Sequence, residues 1–383
     1  MRLEKCLFLD QNISVIGEIG MLGLTRLYGQ IKQILFWIAA YLKRQEKRPG
    51  VILIAETLFV VGGVEKRFLQ YSTLWNRKGY RVYFGAREGN GKIDIRLTKK
   101  KKYNDWLLFL FCWLHKVKLV EWNAGGAILP RYSFEKLRER KIKVGVIIHA
   151  SHPSWNFGYL SKADYVFCSH LAHGLRVPNL KQYPVLPNGI IPNKFRWSFV
   201  GQKKALLISR LDKDKLPSIE SFIQFCYSTD ISFQIAGDFS TCEGKQIKKY
   251  LQFKYSITDS VFIGIVDTTE FLIHSWKEIL FVGGLGQVIL EAGQLDFPCL
   301  LCSLLGKEYS FFVTHHNIES VINYNCSPHS VEENKLLQGN QNIEQELKNL
   351  KTGKVSAFKL SDFIEERCNL KNILKCYNVH LCL

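Results

Sequence analysis

Three stretches of the sequence combine residue types and spacings that could do chemistry, each just after an apolar run. In Leu207-Ile-Ser-Arg-Leu-Asp-Lys-Asp-Lys, Arg210 and Lys215 stand five residues apart. Two fixed cations where a strand ends and a helix starts could clamp a diphosphate, because the helix N-terminus adds its own N–H donors. Alone, the pair is also what a solvated surface loop carries. In Phe281-Val-Gly-Gly-Leu-Gly-Gln-Val-Ile-Leu-Glu-Ala-Gly, the glycines Gly283, Gly284 and Gly286 open a helix that carries Gln287 and Glu291. Glycines let backbone N–H groups approach a phosphate or sugar, and a carboxylate on the helix can accept from ribose hydroxyls. The pattern is not GxGxxG, so the hydride-transfer fingerprint is absent, and a tight packing turn is the ordinary alternative. In Val146-Ile-Ile-His-Ala-Ser-His, His149 ends a strand pattern, where a side chain would face a ligand crevice. His152 suggests a metal pair with it, but no acidic or cysteine partner is near in sequence, so no metal is expected.

Strands must position these groups, and strand candidates recur along the chain. Before residue 200 they are Val51–Ala55, Arg81–Phe84, Val117–Val120, Val144–Ile148, Tyr165–Cys168 and Val185–Leu186. After it come Ala205–Ser209, Phe233–Ala236, Val261–Ile263, Glu278–Phe281 and Pro298–Leu301. The intervening segments have helical spacing: one helix should begin at Pro217, and Leu360–Tyr377 reads as a single closing helix. Alternation of strands and helices in both halves predicts two doubly wound, Rossmann-like α/β domains facing a cleft, with ligands at the carboxyl ends of the strands. The 383 residues fit that reading, since single cores stop growing at roughly 250–300 residues. The expected division is a helical basic extension over 1–49, one domain over 50–200 and a second over 201–383.

Composition excludes several classes. Hydrophobic residues make up 47% and charged residues 22%, with ten prolines, which is globular and not disordered. The longest apolar runs, Ile34–Leu42 and Trp106–Leu114, have about half the roughly 20 residues a membrane span needs, and no secretory signal is expected. The eleven cysteines are odd in number and lie mostly in apolar stretches, which points to reduced thiols in the cytoplasm. Cys299 and Cys302 form a CxxC, but within a buried-strand pattern and with no second CxxC to complete a zinc site. Charge is lopsided: residues 1–200 hold 33 Lys and Arg against 13 Asp and Glu, out of a net +18 for the chain. Only the first half should therefore meet an anionic surface. Lys99-Lys-Lys-Lys before the Trp106–Leu114 run, and Phe36, Trp37, Lys43 and Arg44 in the extension, have the composition of interfacial membrane binding. The alternative is that those apolar helices pack on the first sheet while the lysines are solvated.

In order and spacing, Gly62-Gly63-Val-Glu, strand-end His149, Ala163-Asp-Tyr-Val, Asn188-Gly-Ile, Ser209-Arg-Leu with Lys215, Ala236-Gly-Asp, Phe262-Ile-Gly and Gly284-Leu-Gly with Glu291-Ala resemble the retaining glycosyltransferases of family 4. The resemblance runs from about Val51 to about Leu301 and implies the GT-B fold and a nucleotide-sugar donor used without a metal or other cofactor. It implies that Arg210 and Lys215 hold the donor diphosphate, Glu291 bonds the ribose, and His149 sits by the donor sugar. Gly62 and Gly63 would form a loop close to phosphate and acceptor, and Gly283, Gly284, Gly286 and Gln287 the glycine turn at the donor. One departure stands out, because Gly283 occupies the place of the first acid of the family's Glu-x7-Glu motif. The resemblance and the basic half together imply a glycan or lipid-linked acceptor, an anionic membrane partner at the inner face of the cytoplasmic membrane, and surface-polysaccharide or lipopolysaccharide synthesis. Nucleic acid is not an expected partner, since no zinc finger, RNP motif or Arg stripe is present. A non-catalytic binding protein on the same scaffold and a nucleotide-sugar epimerase are the alternatives.

Overall fold

A computed structural model describes residues 48–57, 63–88, 95–96, 109, 111–125, 131–150, 157–326, 343–373 and 375. The expected extension lies almost wholly outside them, as do Gly62, His152, Lys99–Lys102 and Trp106. The first half is built on β1 (Gly50–Thr57), β2 (Arg81–Glu88), β3 (Ile95–Arg96), β4 (Val117–Gly125), β5 (Lys143–Ala150) and β6 (Tyr165–Cys168). They form one sheet in the order β3-β2-β1-β4-β5-β6 with every neighbouring pair parallel. Its β-branched runs are apolar on both faces because both faces are covered. Helix α1 (Gly63–Arg77) packs Tyr71 and Trp75 on Val51, Leu53, Leu119 and Ile147. Helix α2 (Arg131–Glu139) sends Leu137 to the opposite face, against Ile52, Val120, Val144 and Val146. A short helix α3 (Ala172–Arg176) follows β6.

The second half alternates β7 (Lys204–Ile208), α4 (Leu216–Ser228), β8 (Ser232–Ala236), α5 (Cys242–Tyr255), β9 (Phe262–Gly264), α6 (Thr268–Ser275), β10 (Ile279–Gly284), α7 (Gln287–Gly293) and β11 (Cys299–Leu301). The sheet order is β12-β11-β10-β7-β8-β9, where β12 (Phe311–Val313) is the antiparallel edge. Pro217 lies in the first turn of α4, where its missing N–H leaves no bond unmade. Thr241 and Asp267 cap α5 and α6 through their side-chain oxygens. Helices α8 (Ile318–Asn323), α9 (Ile343–Lys351) and α10 (Ser361–Cys368) complete the described fold.

Two expectations need correction. Val185–Leu186 makes only an isolated bridge, Cys168 with Val185. Pro184 and Pro187 flank it, and proline cannot donate to a ladder, so no strand extends there. Leu360–Tyr377 is not one helix. Helix α10 stops at Cys368, and Asn369 takes an extended ψ of 124° and pairs with Ile190. Ile190 N–H donates to the Cys368 carbonyl at 2.8 Å, and Leu370 N–H donates to the Ile190 carbonyl at 3.0 Å. Beyond this break Leu370 and Ile373 enter the core of the first sheet beside Leu53, Tyr71 and Leu186. The apolar spacing continues on both sides of the break, so periodicity alone could not reveal it.

The face of the first sheet beneath α1 also carries a buried polar row. Glu121 on β4, Gly145 on β5 and Tyr165 on β6 lie in register across three strands. Tyr165 passes its ring over Gly145 and donates from its hydroxyl to Glu121 Oε2 at 2.7 Å. A Cβ at position 145 would overlap that ring. Gly145→Ala is therefore expected to cost about 1–3 kcal/mol by overpacking, read as a lowered Tm in thermal denaturation. An unchanged Tm would show that Tyr165 has room to move.

Candidate functional site

The candidate residues lie where strands end. Arg210 follows the carboxyl end of β7, and Lys215 immediately precedes α4. Asp212, which the motif reading passed over, organises both. Its Oδ2 is 3.3 Å from Arg210 Nε, and its Oδ1 accepts from the Lys215 backbone N–H at 3.0 Å. Burial, and then the Arg210 guanidinium, lower the Lys215 pKa from its ordinary value, with Asp212 and Asp214 partly offsetting them. A half-buried Lys215 and a solvent-exposed Arg210 thus share one corner at the start of a helix. An incoming polyanion would be attracted to both and would remove the penalty they impose on each other.

The glycine turn is shorter than a ligand-wrapping loop. Only Leu285 and Gly286 separate β10 from α7. Gly286 has φ 61° and ψ −125°, a backbone shape that excludes other residues, and its N–H donates to the Cys326 carbonyl. Gly284 leaves room for Val288 and for the Ile208 carbonyl, which brings the turn beside the strand that leads to Arg210. Gln287 is committed elsewhere, donating from its amide to the Gly189 carbonyl at 3.0 Å. Glu291 is on α7 one turn past Gln287 and is 7% exposed.

Gly283 lies inside β10, paired in register with Leu207 on one side and Leu300 on the other. A Cβ there would run into the Phe222 ring and come within 3.2 Å of Cys302 Sγ. The position that the Glu-x7-Glu comparison assigns to an acid is thus a packing position under α4. Glycine is there because the aromatic core needs the space.

His149 sits near the carboxyl end of β5 and contacts Asn123 on β4, with Nε2 3.0 Å from Oδ1. Burial first, then Arg67 and His170, hold its pKa well below the usual 6.5, so the ring is neutral at physiological pH. Arg67 is 1% exposed on α1, with its guanidinium 4.7 Å from the Tyr71 ring centre. Gly63 is the first residue of α1. A line of contacts links the carboxyl ends of the two sheets. Leu171, next to His170, donates from its N–H to the Asn323 carbonyl at 2.8 Å. The turn that follows Asn323 reaches Gly286 through Cys326. Asn188-Gly189 lies at the crossing, where a Cβ on Gly189 would meet Leu370. Among the described residues, no group of three or more His, Cys, Asp or Glu side chains is placed to hold a metal. Cys299 and Cys302 are fully buried, and burial pushes both thiols up, Cys302 to about 12.

No protein-family model matches the chain, and no curated protein matches it. Solved structures do. A glycosyltransferase from Rickettsia africae ESF-5 superposes with a TM-score of 0.58 at 14% identity, over 87% of this chain and 99% of the other. HepE of Anabaena, solved with UDP and glucose, gives 0.57 at 13% identity over 86% and 99%. WaaB, a lipopolysaccharide outer core galactosyltransferase, gives 0.55 at 11% identity over 87% and 99%. The fold is GT-B, two Rossmann-like domains in one chain, and similarity at this level of identity carries no activity with it.

Gly283→Glu supplies the acid the motif lacks, yet it is expected to fold poorly and to add no activity. A clear loss of Tm relative to the unaltered protein would be the sign; a stable variant with a gain in nucleotide-sugar binding would contradict the packing role.

Proposed function

We propose that this chain is a retaining glycosyltransferase, of the family 4 kind, moving a sugar from a nucleotide-sugar donor to a glycan or lipid-linked acceptor in surface-polysaccharide or lipopolysaccharide synthesis. The observation that carries the reading is the Arg210–Lys215 pair at the start of α4, with Lys215 half-buried, Arg210 open to solvent and both held by Asp212. Breaking a sugar–phosphate bond develops positive charge at the anomeric carbon and negative charge on the departing diphosphate. Cations fixed at that diphosphate strengthen their grip as the bond breaks, so they favour the transition state over the bound substrate. Two such cations supply the neutralisation a metal would otherwise provide, and the reading needs no other cofactor. Retention of configuration follows when the leaving phosphate accepts the acceptor's proton on the face it departs from. Glu291 takes the ribose, His149 the sugar side, and Gly62-Gly63 and the Gly284–Gly286 turn the backbone approach. Gly283 contributes space alone, and Gln287 contributes the strut to Gly189.

The reading includes peripheral attachment at the inner face of the cytoplasmic membrane. Within the described residues no helix is long and apolar enough to cross a membrane. Of the Trp106–Leu114 run, Phe109, Phe111 and Cys112 are buried in the first core, while Trp113 is 68% exposed. Near it, Arg48, Arg77, Lys78, Arg81, Lys116 and Lys141 are exposed at or beside the amino ends of β1, β2, β4 and β5. That basic edge with an aromatic anchor suits an anionic interface. The opposite ends of the strands carry the candidate site, about 25 Å away at roughly 3.3 Å per residue. An acceptor whose reacting hydroxyl is several sugars from its lipid fits that separation.

A thermal-shift screen against UDP-, GDP-, ADP- and CMP-sugars tests the donor, since a ligand well above its Kd raises Tm. Stabilisation by one of them is expected, and stabilisation by none would defeat the reading. Arg210→Ala and Lys215→Ala are each expected to lower turnover by about 10²-fold or more, comparable to deleting one oxyanion donor. Unchanged rates in both would remove the clamp. The protein should co-sediment with phosphatidylglycerol vesicles at low salt and be released as salt rises; failure to bind acidic lipid would count against attachment.

A further inference from the structure

The first domain contains a hydrogen-bonded chain that diphosphate binding does not use. Glu121 and Asn123 are two residues apart on β4 and so point to the same face, where they are 1% and 3% exposed. Glu121 Oε2 accepts from the Tyr165 hydroxyl at 2.7 Å, and Oε1 accepts from the Asn123 amide nitrogen at 2.8 Å. Asn123 Oδ1 then meets His149 Nε2 at 3.0 Å. The chain is Tyr165–Glu121–Asn123–His149, and it lies on the same sheet face as α1.

Direction can be read along it. A carboxylate offers only acceptors, so it draws the Asn123 NH₂ towards itself. The Asn123 carbonyl oxygen must then be the end that faces His149. A carbonyl oxygen cannot donate, so His149 Nε2 must carry the hydrogen. Since the ring is neutral, its one proton is spent there, and Nδ1 keeps its lone pair. Among the described residues, His149 makes no other hydrogen bond. Gly145 belongs to the same device, because its missing side chain is what lets Tyr165 reach across β5 and close the far end.

We propose that Glu121, Asn123 and Tyr165 are positioning residues that fix His149 in the Nε2–H tautomer, so that Nδ1 serves as a hydrogen-bond acceptor for a hydroxyl of the transferred sugar. The hydrogen on Nε2 stands on geometry and the bare Nδ1 on that geometry together with the neutral ring; service to a sugar rests on the glycosyl-transfer reading above. The buried chain makes the site a chooser of hydroxyl donors. A sugar that presents a hydroxyl to Nδ1 is held, and a deoxy analogue leaves that nitrogen unmatched.

Nitrogen-15 NMR of histidine-labelled protein tests the tautomer, with the His149 signals identified by their loss in His149→Gln. At pH 7 the expected result is a protonated, exchange-protected Nε2 and a bare Nδ1. A protonated Nδ1, or a doubly protonated ring, overturns the proposal. Glu121→Leu combined with Tyr165→Phe removes both orienting partners for apolar groups of similar shape, which is a near-neutral exchange for stability. The Asn123 amide can then face either way, and the Nε2 signal should broaden or shift towards the bare position. A spectrum identical to the unaltered protein's overturns the role of Glu121. Should that variant not fold, Asn123→Leu must lose the protected Nε2–H signal, and retention of the signal has the same force.

Calorimetry separates the sugar from the diphosphate. UDP-glucose, GDP-mannose and ADP-glucose are each compared with UDP, GDP and ADP. The double variant is expected to bind the nucleotide sugar about tenfold more weakly, the worth of one hydrogen bond, and the free diphosphate as before. Equal losses for both, or no loss, overturn the sugar-facing role and leave the tautomer result intact. If the unaltered protein binds none of the six, the glycosyl-transfer reading fails and takes the sugar clause with it, whatever NMR shows.

Discussion

The arrangement depends on the place where the chain crosses between its two sheets. It crosses outward at Gly189-Ile190 and returns at Asn369, and the two passages are hydrogen-bonded to each other through Ile190, Cys368 and Leu370. Gln287 adds a strut from the start of α7 to the Gly189 carbonyl. The outgoing linker is fastened to the second domain before β7 begins. Trp197 donates from its indole to the Ile279 carbonyl at 3.0 Å, and Arg196 reaches Glu365 at 2.7 Å. The passage between the halves is thereby confined to a few hydrogen-bonded backbone positions. The carboxyl ends of β5 and β7, with His149 on one and Arg210 after the other, keep their relation to that pivot.

The two halves of the site solve opposite electrostatic problems. In the second domain two cations are crowded at a helix start, with Asp212 as a counterweight that both share. Burial, and then the neighbouring Arg210, lower the Lys215 pKa and ready the corner for an anion. In the first domain the same kind of crowding, burial beside Arg67, keeps His149 uncharged. One half offers fixed charge and the other offers an oriented neutral donor-acceptor. The proposed donor, a nucleotide sugar, has that same division between a charged diphosphate and an uncharged ring.

Most strands were legible because Val51–Ala55, Val144–Ile148 and Ala205–Ser209 are short β-branched or apolar runs, which a twice-covered parallel sheet requires. Ile95–Arg96 and Phe311–Val313 were not, since two- and three-residue edge strands carry no period. The break at Asn369 was hidden by apolar spacing that serves two different cores on its two sides. Charged and glycine motifs pointed to Arg210, Lys215 and the Gly284–Gly286 turn, and the structure places these after β7, before α4 and between β10 and α7. The same motif logic put Gly283 at a ligand, although Phe222 from α4 fills the space beside it. Asp212 and the Tyr165–Glu121–Asn123 chain went unread, because their partners are brought by register and not by spacing. A signal did exist. Glu121 and Asn123 alternate with Val120 and Trp122 in a strand whose remaining residues, apart from the exposed Lys118, are apolar or glycine, so two polar side chains on one buried face demanded partners.

The return passage also sets an order of assembly. Leu370 and Ile373 belong to the first domain's core but come near the end of the chain, some 180 residues after the crossing. Domains usually complete themselves as they leave the ribosome, the N-terminal one first. Here the N-terminal domain must wait for the second to be synthesised before its last apolar residues arrive. Until Leu370 and Ile373 are made, the first domain lacks the side chains that pack beside Tyr71 and Leu186.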